Sequence, residues 1–149
     1  MSNTFSNLLF HVVFSAKERK KLLSRNVQNR LYPYISGIAS KNDFKTLCIG
    51  GTNNHVHILL SFNPELSVSK AVQLIKGNSS KWLHENFTDL NLFSWQNGYG
   101  VFTVSKSQAS SIQKYINNQE EHHKKMSFEE EYVELLKRNN INFDLKYLF

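Results

Sequence analysis

Apolar residues fall along this chain in two rhythms, and the order in which the rhythms alternate outlines a fold. Leu8–Ser15 is short, apolar and rich in β-branched residues, which predicts a strand. Over Asn26–Ser40, Val27, Leu31, Tyr34, Ile35 and Ile38 recur at helical spacing. Phe44–Ile49 predicts a second strand, and Gly50-Gly51-Thr52-Asn53-Asn54 a turn. His55–Phe62 then reads as a third strand, paired with the second as a hairpin and ended by Pro64. Ser67 offers an N-cap to a long helix whose buried face is marked by Val68, Val72, Ile75, Ser79 and Trp82. An irregular stretch over 86–98 leads to a fourth strand, Tyr99–Val104. A third long helix is predicted from Ser107 to Lys125 and a fourth from Phe128 to Arg138, followed by a tail held by Phe143, Leu145, Tyr147, Leu148 and Phe149.

Strand, helix, strand, strand, helix, strand is the ferredoxin-like order. It predicts an α+β fold: a four-stranded antiparallel βαββαβ sheet with two helices on one face and the third strand central. The extra C-terminal helices would cover the sheet's other face or reach over to a partner. No linker, repeat or low-complexity tract divides the chain, so 1–149 reads as a single domain.

Composition adds a polyanion to the picture. Of 149 residues, 40% are hydrophobic and 20% charged, with a net charge of +6. Residues 1–75 carry nine Lys/Arg against three Asp/Glu, and residues 76–149 carry nine against nine, so the whole excess lies in the first half. Its densest part is Lys17, Arg19, Lys20, Lys21 and, a turn later, Arg25. Such a knot suits the phosphates of a nucleic acid, or is simply a solvated loop. A single cysteine, Cys48, excludes an internal disulfide and reads as a buried small hydrophobe. Neither a signal peptide nor a run long enough to span a membrane is present, which points to a soluble, cytoplasmic protein.

Two short spacings carry candidate chemistry. Alternate residues of a strand share a face, so His55 and His57 project together, opposite Val56, Ile58, Leu60 and Phe62. Two adjacent imidazoles can share a metal ion, or can be half-buried groups bonded to backbone carbonyls. Tyr115 and Gln119 lie four residues apart on one helix face and offer a phenol and an amide oxygen to one point. Each pair alone is weak evidence.

Together, and in this order along the chain, they resemble the single-tyrosine HUH transposases, the TnpA-type enzymes of small insertion sequences. The resemblance rests on Asn54-His55-Val56-His57-Ile58-Leu59-Leu60, on the early HVVFSAKERK, on Trp95-Gln96-Asn97-Gly98-Tyr99-Gly100 and on YINNQEEHHKK. It implies that His55, His57 and Gln119 bind a divalent ion, Mg²⁺ or Mn²⁺, and that Tyr115 is the nucleophile. It also implies a homodimer with composite sites, one chain supplying the histidines and the other the tyrosine helix. The implied substrate is single-stranded DNA carrying a hairpin near the ends of the element, and the implied product is a 5′-phosphotyrosine. Lys17, Arg19, Lys20, Lys21 and Arg25 would then contact phosphates, and Trp95 and Tyr99 either stack on bases or belong to the core.

On this reading His122 and His123 are phosphate contacts or surface residues, His11 could face the same side as the metal site or a dimer neighbour, and His84 has no assigned role. Three rivals remain: a non-catalytic single-strand-binding descendant; a zinc hydrolase that activates water and has no use for Tyr115; and, inside the same superfamily, a replication initiator or relaxase, which the short chain, motif order and late tyrosine fit less well.

Overall fold

In a computed structural model that describes residues 3–149, the sheet is built from β1 (Leu8–Ser15), β2 (Lys45–Gly51), β3 (His55–Phe62) and β4 (Gly100–Val104). All neighbours pair antiparallel in the order β2-β3-β1-β4, so β1 and β3 are both central. This is the ferredoxin-like α+β arrangement that the order of elements predicts. Among the described residues no helix is long and apolar enough to cross a membrane.

Helices α1 (Arg25–Lys41) and α2 (Val68–Asn86) cover one face. The hydroxyl of Ser24 caps α1 by accepting from Val27 N–H, and that of Ser67 caps α2 by accepting from Lys70 N–H. Val27, Leu31, Ile35 and Ile38 from α1 and Ala71, Val72, Ile75 and Leu83 from α2 are buried, most of them against Val12, Phe14, Val56, Ile58, Leu60 and Phe62 of the sheet. Trp95 belongs to this core: its indole N–H donates to Ser79 Oγ at 3.0 Å, which satisfies two buried polar groups at once. Trp82 is only half-buried and stacks on Tyr34.

The other face is covered by the C-terminal part of the chain. There, α3 (Ala109–Asn117), α4 (Gln119–His122) and α5 (Phe128–Arg138) follow one another. Phe128, Tyr132 and Leu136 of α5 pack on Val13 and Phe102, while Ile116 of α3 packs with Leu9, Leu59 and Val104. A capping box starts α5: Ser127 Oγ accepts from Glu130 N–H, and the Glu130 carboxylate accepts from Ser127 N–H.

Two expectations change. The helix predicted over Ser107–Lys125 is not continuous, because Asn118 leaves helical geometry (φ −103°, ψ 21°) and separates α3 from α4. Gly50 and Gly51 are not in the turn but end β2, and the turn is formed by Thr52, Asn53 and Asn54. The tertiary contact explains the glycine. A Cβ on Gly50 would lie 2.1 Å from the carbonyl oxygen of Ile116, so only a bare Cα lets α3 come down onto β2. Gly50 pairs directly with His57, so the same close approach brings α3 to the histidines.

Candidate active site

The sheet places three imidazoles on the face away from the main core. His55 and His57 stand one pleat apart on β3, and His11 comes from β1 beside them. All three are buried. His11 Nε2 lies 2.8 Å from His57 Nδ1. His55 Nδ1 faces Asn54 Oδ1 at 2.8 Å and Thr52 Oγ1 at 3.1 Å. Burial first, and the neighbouring His57 second, push the pKa of both His11 and His55 down to about 3, so both are neutral at neutral pH.

From the other side, α3 to α5 bring Tyr115, Gln119, His122, His123 and Glu131. The expected pair Tyr115 and Gln119 keeps its common direction despite the break at Asn118. Gln119 Oε1 is 2.8 Å from His55 Nε2, and the rings of Tyr115 and His57 stand edge to face, 5.6 Å apart. These contacts lie within one chain.

Glu131 is the residue that sequence reasoning missed, and it occupies the centre. It is 2% exposed. Its Oε1 lies 3.0 Å from His57 Nε2, 3.0 Å from His123 Nε2 and 3.5 Å from His55 Nε2. Its Oε2 accepts from the Tyr115 hydroxyl and, at 3.1 Å, from Gln119 Nε2. Burial opposes its charge, but the hydrogen bonds from His123 and His57 outweigh that and hold the carboxyl well below the usual carboxylate range. For Tyr115 both effects agree: burial and the Glu131 charge push the phenol well above its ordinary value. A signal for Glu131 existed in the sequence, since it falls in phase with Phe128, Tyr132 and Leu136 on the apolar face of an amphipathic helix.

His123, expected at the surface or on a phosphate, joins this cluster. Its Nδ1 donates to the Met126 carbonyl at 2.6 Å, which directs Nε2 at Glu131. Burial lowers its pKa, but the bond and charge of Glu131 prevail and raise it. His122 Nε2 is buried 3.3 Å from Glu131 Oε2, off line for a hydrogen bond and without another partner. His84 lies apart, bonded to the Phe93 carbonyl.

The residue set fits a metal ion. One donor atom each from His55, His57, His123 and Glu131 lies within 4.8 Å of all the others, and the buried His122 nitrogen beside them lacks a partner. Imidazole and carboxylate are ordinary donors for divalent first-row metals.

Comparison with known proteins identifies the family. The family model described as "Transposase IS200 like" matches residues 4–119, which include His55, His57, Tyr115 and Gln119. The chain belongs to the IS200-like transposase family. The transposase for insertion sequence element IS200 of Salmonella typhimurium is 32% identical over 129 residues, 83% of this chain and 84% of that protein. The ISDra2 transposase TnpA of Deinococcus radiodurans is 29% identical over 119 residues, 75% of this chain and 84% of that one. Among solved structures, a candidate transposase of Deinococcus radiodurans R1 superposes with a TM-score of 0.65 at 26% identity, covering 80% of this chain and 95% of that one. A REP-associated tyrosine transposase bound to a REP hairpin gives a TM-score of 0.57 over 78% of this chain and 70% of that one; at 14% identity this likeness carries the fold alone.

In this IS200-like transposase the basic turn borders the histidine cluster. Arg19, Lys21 and Arg25 line a cleft of about 790 Å³ whose opposite wall includes His123, Lys124 and Ser127. Lys17 and Lys20 lie outside it, on a neighbouring groove. Three of the cleft's cations are already engaged. Arg19 pairs with Glu129 at 3.3 Å and lies over the Phe149 ring, Arg25 stands 4.0 Å from Glu120, and Lys124 pairs with Glu121 at 2.8 Å. Lys21 is exposed. Cys48 is half-buried beneath α3, with Sγ 3.1 Å from Asn117 Oδ1.

Proposed function

We propose that this transposase cleaves and rejoins single-stranded DNA at the ends of an insertion sequence through a 5′-phosphotyrosine on Tyr115. The observation that carries the reading is the convergence of the Tyr115 hydroxyl and the imidazoles of His55 and His57 on one carboxylate, that of Glu131. That carboxylate gathers the nucleophile and the candidate metal ligands around one point, beside which a scissile phosphate has to sit.

Tyr115 Oη gives up its proton and attacks phosphorus, the P–O3′ bond breaks, and the departing 3′-oxygen takes up a proton to become a free 3′-hydroxyl. The bond energy is kept in the phosphotyrosine, so a second 3′-hydroxyl can displace the tyrosine without ATP. His55, His57 and Gln119 hold a divalent ion, Mg²⁺ or Mn²⁺ by family resemblance; when bound, it supplies positive charge to the phosphate in flight. Glu131 receives the Tyr115 hydroxyl and fixes its direction. Gln119 ties His55 to Glu131 and so links the two halves of the site. The cleft beside His123 leads the strand in, with Lys21 and Arg25 meeting phosphates and giving affinity rather than sequence choice. Lys17, Arg19 and Lys20 extend that surface toward a DNA hairpin, and two copies of the chain act together as a homodimer.

The test is a cleavage assay with labelled single-stranded DNA from the element's ends, with Mg²⁺ or EDTA, on a denaturing gel. A metal-dependent covalent adduct that vanishes in Tyr115→Phe is expected. Binding without an adduct would replace this reading with that of a non-catalytic descendant, and cleavage that survives Tyr115→Phe with that of a water-using hydrolase.

A further inference from the structure

The three imidazoles around Glu131 share a wiring pattern. His55 Nδ1 is taken by Asn54 Oδ1, His57 Nδ1 by His11 Nε2, and His123 Nδ1 by the Met126 carbonyl. All three Nε2 atoms face a single oxygen, Glu131 Oε1, at 3.5, 3.0 and 3.0 Å. Histidines that ligate metals are held in this way: the far nitrogen gives its proton to an acceptor, and the near one presents a lone pair.

The four side chains each offer one donor atom within 4.8 Å of the others, and the buried His122 Nε2 beside them has no hydrogen-bond partner. His123 and Glu131 lie beyond residues 4–119, the stretch that the family model matches.

We propose that His123 and Glu131 join His55, His57 and Gln119 as ligands of one metal ion, in a site of three imidazoles, one carboxylate and one amide oxygen that selects a first-row transition ion over Mg²⁺. The proposal rests on the reading that this site works with a divalent ion, and extends its ligand set by two. Mg²⁺ prefers oxygen donors and keeps its waters, whereas imidazole donors favour ions such as Fe²⁺, Ni²⁺ and Zn²⁺. His11 and Met126 act through the ligands, by fixing which nitrogen is free.

The experiment is zinc binding to the metal-free full chain, without DNA. Calorimetric titration with Zn²⁺ is run on the unaltered protein, on His123→Ala and on the near-isosteric Glu131→Gln. Zinc-edge X-ray absorption of the unaltered protein then counts imidazoles, a readout that no variant's folding can disturb. The expected result is three imidazoles, Zn²⁺ that excess Mg²⁺ does not displace, and affinity at least about tenfold weaker in each variant, since losing even a hydrogen-bonding partner of a ligand costs that much. Two imidazoles, displacement by Mg²⁺, or unchanged affinity in both variants would overturn it. Adduct formation without this zinc site removes the ligand assignment alone, and tight zinc binding without an adduct removes the strand-transfer reading alone.

Discussion

Gly50→Ala should damage both stability and chemistry, although Gly50 touches neither the candidate nucleophile nor the histidines' ring nitrogens. A Cβ built there lies 2.1 Å from Ile116 O and 2.9 Å from both Ile116 C and Cγ2. An ordinary carbon–oxygen approach is about 3.3 Å, so the Ile116 carbonyl must retreat by about 1 Å. Because the obstacle is backbone, a rotamer change cannot relieve it, and α3 has to move as a unit. Overpacking of this kind costs about 1–3 kcal/mol. At about 2–4 °C per kcal/mol for a chain of this size, the midpoint of thermal unfolding should fall by several degrees. Ile116 adjoins Tyr115, so the phenol moves with it, and a misplacement of about 1 Å near reacting atoms costs about a hundredfold in rate. Gly77→Ala is the control, because an added Cβ there meets nothing within 4 Å; on an exposed helix face it should stabilise by about 0.4–1 kcal/mol. Thermal melts and the adduct assay on both variants decide the matter. A Gly50→Ala protein with unchanged melting and full adduct yield would refute the account of how α3 is seated.

Three further outcomes are expected. The metal-free protein should lose stability as pH falls from about 6.5 toward 3, because burial holds His11 and His55 at about 3 while the unfolded chain binds those protons at about 6.5. The slope is about 1.4 kcal/mol per pH unit for each group. His123, raised rather than lowered, changes stability only above that window, and melting that stays flat between pH 7 and 5 would contradict the burial of neutral imidazoles. Ser127→Ala removes the capping box of α5 and should cost about 1 kcal/mol by urea denaturation, with the loss read at the helix that carries Glu131. A divalent ion at about a hundred times its dissociation constant should add about 2.7 kcal/mol of stability. EDTA should abolish that gain in melting experiments, and a midpoint indifferent to both would exclude a site formed by the native state.

Most of the frame could be read from periodicity, because β1, β3 and α5 have the bounds that their apolar patterns predict. The shared face of His55 and His57 follows from strand alternation alone. What escaped was set by contacts distant in sequence. Gly50-Gly51 has the local signature of a turn, but Gly50 is a glycine because Ile116 lies against it. The break at Asn118 lies in a stretch with good helical residues on both sides, and it lets α4 turn His122 and His123 inward. Glu131 sits among Glu129, Glu130 and Glu134, so its charge gives no sign that it alone is buried.

The stretch matched by the family ends at Gln119, and Glu131 lies beyond it on a helix with its own cap and its own apolar patch. The acid at the centre of the candidate site therefore lies outside the matched stretch that holds the histidine pair and the tyrosine, and the helix that carries it closes the sheet face through Phe128, Tyr132 and Leu136 against Val13 and Phe102.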